Sequence, residues 1–241
     1  MNIEGRNPVL ESLRSNPKLV REIFIRDKVK KDDKMYEIVK LAKKHKIKMR
    51  FVRVEFLSRI SDTGKHQGVI AVRAALPVLS LREILDSGEQ NMMFIYIRES
   101  FNEFNIGSII RTAECTGATA VVLSPKTKIT PQVIRASMGA SENVSIIHES
   151  LFNAIKSCKD AGVKVVGIEV EGKKNYYESD LTGSVMFIVG GEDRSLSEEI
   201  IQKCDEVVKI PLNGKINSLN MGVAAGVVMY DKVRQDEMVW D

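Results

Sequence analysis

Two segments near the carboxyl terminus pair an acidic turn with an amide-rich one. Gly190 to Ser197 reads GGEDRSLS, and Ile210 to Gly226 reads IPLNGKINSLNMGVAAG. In the first, Gly190 and Gly191 follow an apolar run and Glu192 comes next. Glycines there let backbone groups reach a ligand without a Cβ in the way. In the second, Asn213, Gly214, Asn217, Ser218 and Asn220 crowd a turn with amide donors and acceptors just before a long apolar helix. Gly222, Ala224, Ala225 and Gly226 make that helix thin, so neighbouring backbone can come close, while Leu219, Val223, Gly226, Val227 and Tyr230 share one helix face. The pair suits a backbone-lined pocket for a polar small molecule.

A third segment, NIGSIIRTAE (Asn105 to Glu114), adds a cation. Asn105 is expected to cap the helix that follows, its side chain accepting from a free first-turn amide. Ile106, Ile109, Ile110 and Ala113 form the apolar stripe, and Arg111 lies off it. From these residues alone Arg111 is either a solvated helix arginine or a planar clamp for a phosphate.

These segments need elements to position them. Residues 92–97, 118–123, 144–147, 163–170, 185–190 and 206–211 read as buried-type strands. Helical spacing falls at Ile106 to Ala113, near 131–138, 150–161 and 196–203, and from about Ser218 to Arg234. Strands alternating with helices imply an α/β fold with a parallel sheet covered on both faces. Gly190 and Gly191 then stand at a strand's carboxyl end, where ligands of such sheets bind.

The first 75 residues read as a separate small α/β unit. A short helix follows Pro8, strands are expected at 21–26, 47–52 and within 64–73, and Met35, Ile38, Val39 and Ala42 mark a helix. Its other face, with Lys40, Lys43, Lys44, Lys46 and Lys48, is basic. Residues 76–91 read as a linker with a short helix at Leu81 to Leu85, and 92–241 as the second domain. The 241-residue chain carries a net charge of +4. Residues 1–75 hold 19 Lys and Arg against 9 Asp and Glu, or +10; the remaining 17 against 23 give −6. The basic end is a solvated surface or a nucleic-acid contact.

Several classes are excluded. No run approaches the roughly 18 to 20 apolar residues of a membrane span, and the start lacks a secretory pattern, so a cytoplasmic location is expected. The scattered Cys115, Cys158 and Cys204 suggest no disulfide framework and read as small buried apolar residues. The scattered His45, His66 and His148 suggest no metal site. There is no G-x-G-x-x-G, Walker A or G-x-S-x-G pattern.

The three segments, in this order, resemble the SpoU (TrmH-like) family of RNA ribose 2′-O-methyltransferases of the SPOUT superfamily. The pattern N-x-G-x-I-x-R-x-A is matched by Asn105, Gly107, Ile109, Arg111 and Ala113. The pattern G-x-E-x-x-G-L-S is matched by Gly190, Glu192, Leu196 and Ser197, and I-P-x-x-G-x-x-x-S-L-N by Ile210, Pro211, Gly214, Ser218, Leu219 and Asn220. The basic start, with GRNPVLESL and HQGVIA, resembles the ribosomal-protein-L30e-like substrate-binding domain of some members.

The resemblance implies a trefoil-knotted catalytic domain, S-adenosylmethionine as cofactor, RNA as partner and a homodimer with the site completed across its interface. It implies a guanosine ribose of 23S ribosomal RNA as the target. A transfer-RNA methyltransferase, an antibiotic-resistance methylase and a non-catalytic ribosome-assembly factor stand as rivals. By carry-over, Gly190, Gly191, Ile210 and Leu219 hold the cofactor, while Asn105, Arg111, Glu192, Ser218 and Asn220 line the reaction site. The family assigns Arg111 as base. A guanidinium normally stays protonated, so a phosphate clamp that orients and acidifies the hydroxyl is the better role. The chain departs from the family where Asn102 and Glu103 replace Asp-Pro, and where Ser195 replaces the later glycine of the second pattern.

Overall fold

The computed structural model describes residues 1–29, 32–98, 102–190 and 195–238. Gly191 and Glu192 lie outside the described residues, so their expected roles have no geometry here. The chain forms two units, residues 1–77 with 129–143, and residues 78–128 with 144–241.

Unit 1 begins with β1 (Asn2–Glu4), α1 (Arg6–Ser15), β2 (Val20–Arg26), α2 (Asp33–Lys44), β3 (Lys48–Val52), α3 (Val54–Ile60) and β4 (Val69–Arg73). Its sheet has the order β1-β4-β2-β3, with β2 and β3 parallel and the other pairs antiparallel. The apolar spacing in α2 works as read. Met35, Ile38 and Ala42 are buried, while Lys40, Lys43, Lys44, Lys46 and Lys48 are exposed. Asp32 caps α2 by accepting from Met35 N at 2.9 Å. β1 and α3 escape sequence reading because they are short: β1 has three residues, and Leu57 is the only fully buried residue of α3.

Residues 129–143 pack into this unit, although the periodicity placed them with the second domain. Ile134 joins its core beside Leu10, Leu13 and Ile23. Gly139 adopts φ +100°, and a Cβ there would lie 2.7 Å from Glu11 Cγ, so only glycine fits. Arg73 and Glu142 form a buried ion pair at 2.9 Å.

Unit 2 contains α4 (Leu81–Leu85), β5 (Met93–Ile97), α5 (Glu103–Cys115) and β6 (Ala120–Leu123). The chain then passes through α6 (Pro131–Ala136) of unit 1 and returns with β7 (Ser145–His148), α7 (Leu151–Asp160) and β8 (Lys164–Ile168). It continues with β9 (Lys174–Asn175), β10 (Val185–Val189), α8 (Glu198–Lys203), β11 (Glu206–Lys209) and α9 (Met221–Met238). The seven strands are all parallel in the order β7-β6-β5-β10-β8-β11-β9. Burial on both faces explains their unbroken apolar runs. Phe94 and Phe187 are wholly buried at the centre, and truncating either to alanine costs about 3–5 kcal/mol.

The strand order reverses at β5: β6 and β7 lie to one side, and β10 is inserted on the other, between β5 and β8. Ligands of open α/β sheets sit outside the carboxyl ends at such a switch. Glu206 ties the start of β11 to its neighbours through Lys164 at 2.9 Å, Lys174 at 2.5 Å and Ser179. Desolvation raises its carboxyl pKa, but the bonds to Lys174, Ser179 and Lys164 outweigh this and hold it down at about 2.

The cysteines correct one expectation. Cys158 is buried and Cys204 half-buried, but Cys115 is exposed at the last position of α5. Among the described residues no helix is long and apolar enough to cross a membrane, and no group of three His, Cys, Asp or Glu could hold a metal ion.

Candidate active site

The carboxyl ends of β8, β10 and β11 converge on a cavity of about 500 Å³ within unit 2. Ile168, Glu169 and Val170 line it from the end of β8, and Val189, Gly190 and Ser195 from β10 and beyond. Ile210, Leu212, Ser218, Leu219 and Asn220 contribute the loop after β11, Met221 and Ala224 the first turn of α9, and Asn102 and Asn105 the start of α5.

Asn220 joins two of the sequence segments. Its Nδ2 donates to Asn105 Oδ1 at 2.9 Å. Its Oδ1 accepts from Gly222 N at 2.9 Å and Val223 N at 3.3 Å, which caps α9. This cap explains why α9 starts at Met221 rather than at Ser218. Asn105 does not cap α5, contrary to expectation. Asn102 occupies that position, accepting from Phe104 N at 3.0 Å, and Asn105 falls inside the first turn, buried. The residue that departs from the family pattern is thus the cap itself.

The thin helix packs as its composition suggests. A Cβ on Gly222 would come within 3.3 Å of Ser108 Oγ on α5, and one on Gly226 within 3.6 Å of Thr112 Cγ2. The far half of α9 is held by Lys232, which is fully buried and donates to Leu181 O, Gly183 O and Asp236. The face made by Leu219, Val223 and Tyr230 is the exposed one, at 40%, 53% and 54%.

The remaining expected residues separate. Gly190, Ile210, Ser218 and Leu219 line the cavity with Asn105 and Asn220. Arg111 is exposed on α5 and is not part of the lining. Ser197 stands at the start of α8 without a side-chain capping bond.

Sequence reading missed Glu169 and Arg98. Glu169 Oε2 accepts from Leu196 N at 2.7 Å, and its Oε1 from Val170 N at 3.1 Å. Arg98 donates to Ser195 O at 3.0 Å. Together they anchor the loop after β10 on its downstream side. The signal available was a carboxylate at the end of a parallel strand. It was hidden by reading that strand through Val170, two residues past its end at Ile168.

These features define a class: an α/β enzyme with a small-molecule site at its sheet's switch point, carrying a separate basic module. Comparison with known proteins makes the family specific. Residues 92–230 match the SpoU rRNA Methylase family, and residues 2–78 match the RNA 2′-O ribose methyltransferase substrate-binding family. The chain belongs to the SpoU rRNA methylase family and is an S-adenosylmethionine-dependent RNA 2′-O-ribose methyltransferase.

YacO of Bacillus subtilis, provisionally assigned as a TrmH-family tRNA/rRNA methyltransferase, is 32% identical over 238 residues, covering 96% of this chain and 94% of that one. The 23S rRNA (guanosine-2′-O-)-methyltransferase RlmB of Xanthomonas campestris is 32% identical over 240 residues, covering 97% and 96%. The crystal structure of the SpoU methyltransferase AviRb from Streptomyces viridochromogenes, in complex with AdoMet, superposes with a TM-score of 0.80. It is 21% identical and covers 98% of this chain and 89% of its own, a likeness of fold.

The cavity fits the cofactor on its own terms. Its volume lies in the range of about 300–1,000 Å³ typical of small-molecule sites. Ile168, Val170, Ile210, Leu212 and Met221 offer apolar surface, the strand ends offer backbone groups, and Glu169 offers a negative charge. When bound, S-adenosylmethionine supplies a methyl group on a cationic sulfur.

Proposed function

We propose that this enzyme methylates the ribose 2′-hydroxyl of a guanosine in 23S ribosomal RNA. The observation that carries the site is the Asn220–Asn105 hydrogen bond, which links the amide-rich turn to α5 at the cavity. The full-length similarity to RlmB supports the target.

In this reading residues 1–77 with 129–143 grip RNA through the exposed lysines of α2 and the following turn, and residues 78–128 with 144–241, which take in most of the expected linker, hold the catalytic machinery. Gly190, Gly191, Ile210 and Leu219 bind the cofactor. Asn105, Glu192, Ser218 and Asn220 orient the acceptor ribose. Arg111 clamps the adjoining phosphate, which orients and acidifies the hydroxyl and can itself take the proton. Fixing the nucleophile in line is much of the catalytic work.

The reading includes a homodimer and a cytoplasmic location. Arg111 is exposed and does not line the cavity of its own chain, which supports a site completed by a second copy. Leu219, Val223, Tyr230 and Phe104, the last 55% exposed, supply apolar surface for that contact. The trefoil knot belongs to the same reading, supported by the family match over residues 92–230.

The test is methyl transfer from labelled S-adenosylmethionine to 23S ribosomal RNA and, separately, to transfer RNA, both from cells lacking the gene. Labelling of 2′-O-methylguanosine in 23S RNA is expected. Labelling of transfer RNA alone would assign the rival substrate.

A further inference from the structure

Among the described residues lining the cavity, Glu169 is the one ionisable side chain. Its carboxylate makes no ion pair among the described residues. Both oxygens are held by backbone amides, Oε2 by Leu196 N and Oε1 by Val170 N. The charge is therefore fixed in place at the end of β8, half-buried, without an ion-pair partner among the described residues.

We infer that Glu169 is a cofactor-positioning residue whose charge answers the sulfonium of S-adenosylmethionine and so favours that donor over its neutral product, S-adenosylhomocysteine. This rests on the function proposed above. The sulfonium is the charge that S-adenosylmethionine has and its product lacks, whereas the hydroxyls and the amine are common to both. A trivalent sulfur cation has no N–H or O–H, so it is met by a nearby charge and not by a directed hydrogen bond. Two amides fix the direction of the Glu169 carboxylate, and its charge acts on the sulfonium whatever its remaining lone pairs accept. In a partly desolvated site a charge a few ångströms away acts through an effective dielectric near 20, far more strongly than in water. Methyl transfer removes the positive charge on sulfur, so the same carboxylate ceases to favour the ligand once the reaction is over, which eases product release.

The test is calorimetric titration of the full-length wild type and Glu169→Gln with S-adenosylmethionine and, separately, with S-adenosylhomocysteine. Glutamine keeps an oxygen for Leu196 N, gives up the acceptor for Val170 N and removes the charge. Affinity for S-adenosylmethionine is expected to fall about tenfold or more, with S-adenosylhomocysteine changed less than about twofold. Equal weakening of both would overturn the inference, since it marks a structural role or a contact to the hydroxyls or amine. Glu169→Asp provides a second arm: it keeps the charge and is expected to retain the preference for S-adenosylmethionine, and loss of that preference in the folded variant would also overturn it. Failure of wild type to bind either ligand would instead contradict the functional reading.

Discussion

Asn220 donates to Asn105 at 2.9 Å while its own oxygen accepts the first free amides of α9. One side chain therefore sets where the last helix starts and ties that start to α5, two elements far apart in sequence. The two functions can be separated by chemistry.

Asn220→Asp keeps the capping oxygen and loses the donor to Asn105. Asn220→Ala loses both. We predict that Asn220→Ala lowers stability by about 1 kcal/mol, the usual worth of a cap, whereas Asn220→Asp stays near wild type. Both should lose at least tenfold in methyl transfer. Thermal melts and single-turnover rates measured together decide this; an active Asn220→Ala would show that the link to Asn105 is dispensable.

Arg111 is exposed and makes no hydrogen bond or ion pair among the described residues. Replacement should leave the fold within about 0.5 kcal/mol of wild type. Arg111→Ala is expected to bind S-adenosylmethionine normally and lose about a hundredfold or more in turnover. Arg111→Lys, a charge without the planar fork, should recover only part of it. Normal turnover by Arg111→Ala would remove the residue from the mechanism.

The exposed Lys40, Lys43 and Lys44 of α2 form the proposed RNA grip. Replacing all three with alanine should weaken RNA binding across sequences. The salt dependence should flatten by about one unit of slope for each phosphate that is no longer neutralised. Filter binding from low to moderate salt measures both, and an unchanged slope would place the RNA elsewhere.

Glu206 makes stability pH-dependent. Its folded pKa of about 2 lies below the ordinary 4.5, so its contribution is present above pH 4.5 and fades as pH falls toward 2. Partial exposure of Lys174 and Lys164 limits that contribution to on the order of 1–2 kcal/mol. Denaturant titrations should find Glu206→Gln less stable than wild type at pH 6 and the gap narrowing by pH 3. A constant gap would show that its charge does not matter.

Much of this architecture is legible in the chain because the parallel strands are buried on both faces and read as continuous apolar runs. Strand order is not legible: nothing local in Val185–Val189 says that it enters between β5 and β8. Of the site, the segments carrying Asn105, Ser218 and Asn220 stand out by their amides, yet the capping role of Asn102 does not. An asparagine three residues from another offers two equivalent starts for one helix, and tertiary contact with Asn220 takes Asn105 out of the choice. Residues 129–143 mislead for a related reason. Ile134 carries an apolar pattern that fits either core, and the complement that decides it, Glu11 against Gly139 and Arg73 against Glu142, is distant in sequence.

The most direct measurement is a map of ribose 2′-O-methylation in ribosomal and transfer RNA from cells with and without this gene. The account predicts loss of 2′-O-methylation at one guanosine of 23S ribosomal RNA, restored by the wild-type gene and not by Arg111→Ala. An unchanged 23S pattern, or loss confined to transfer RNA, would contradict it.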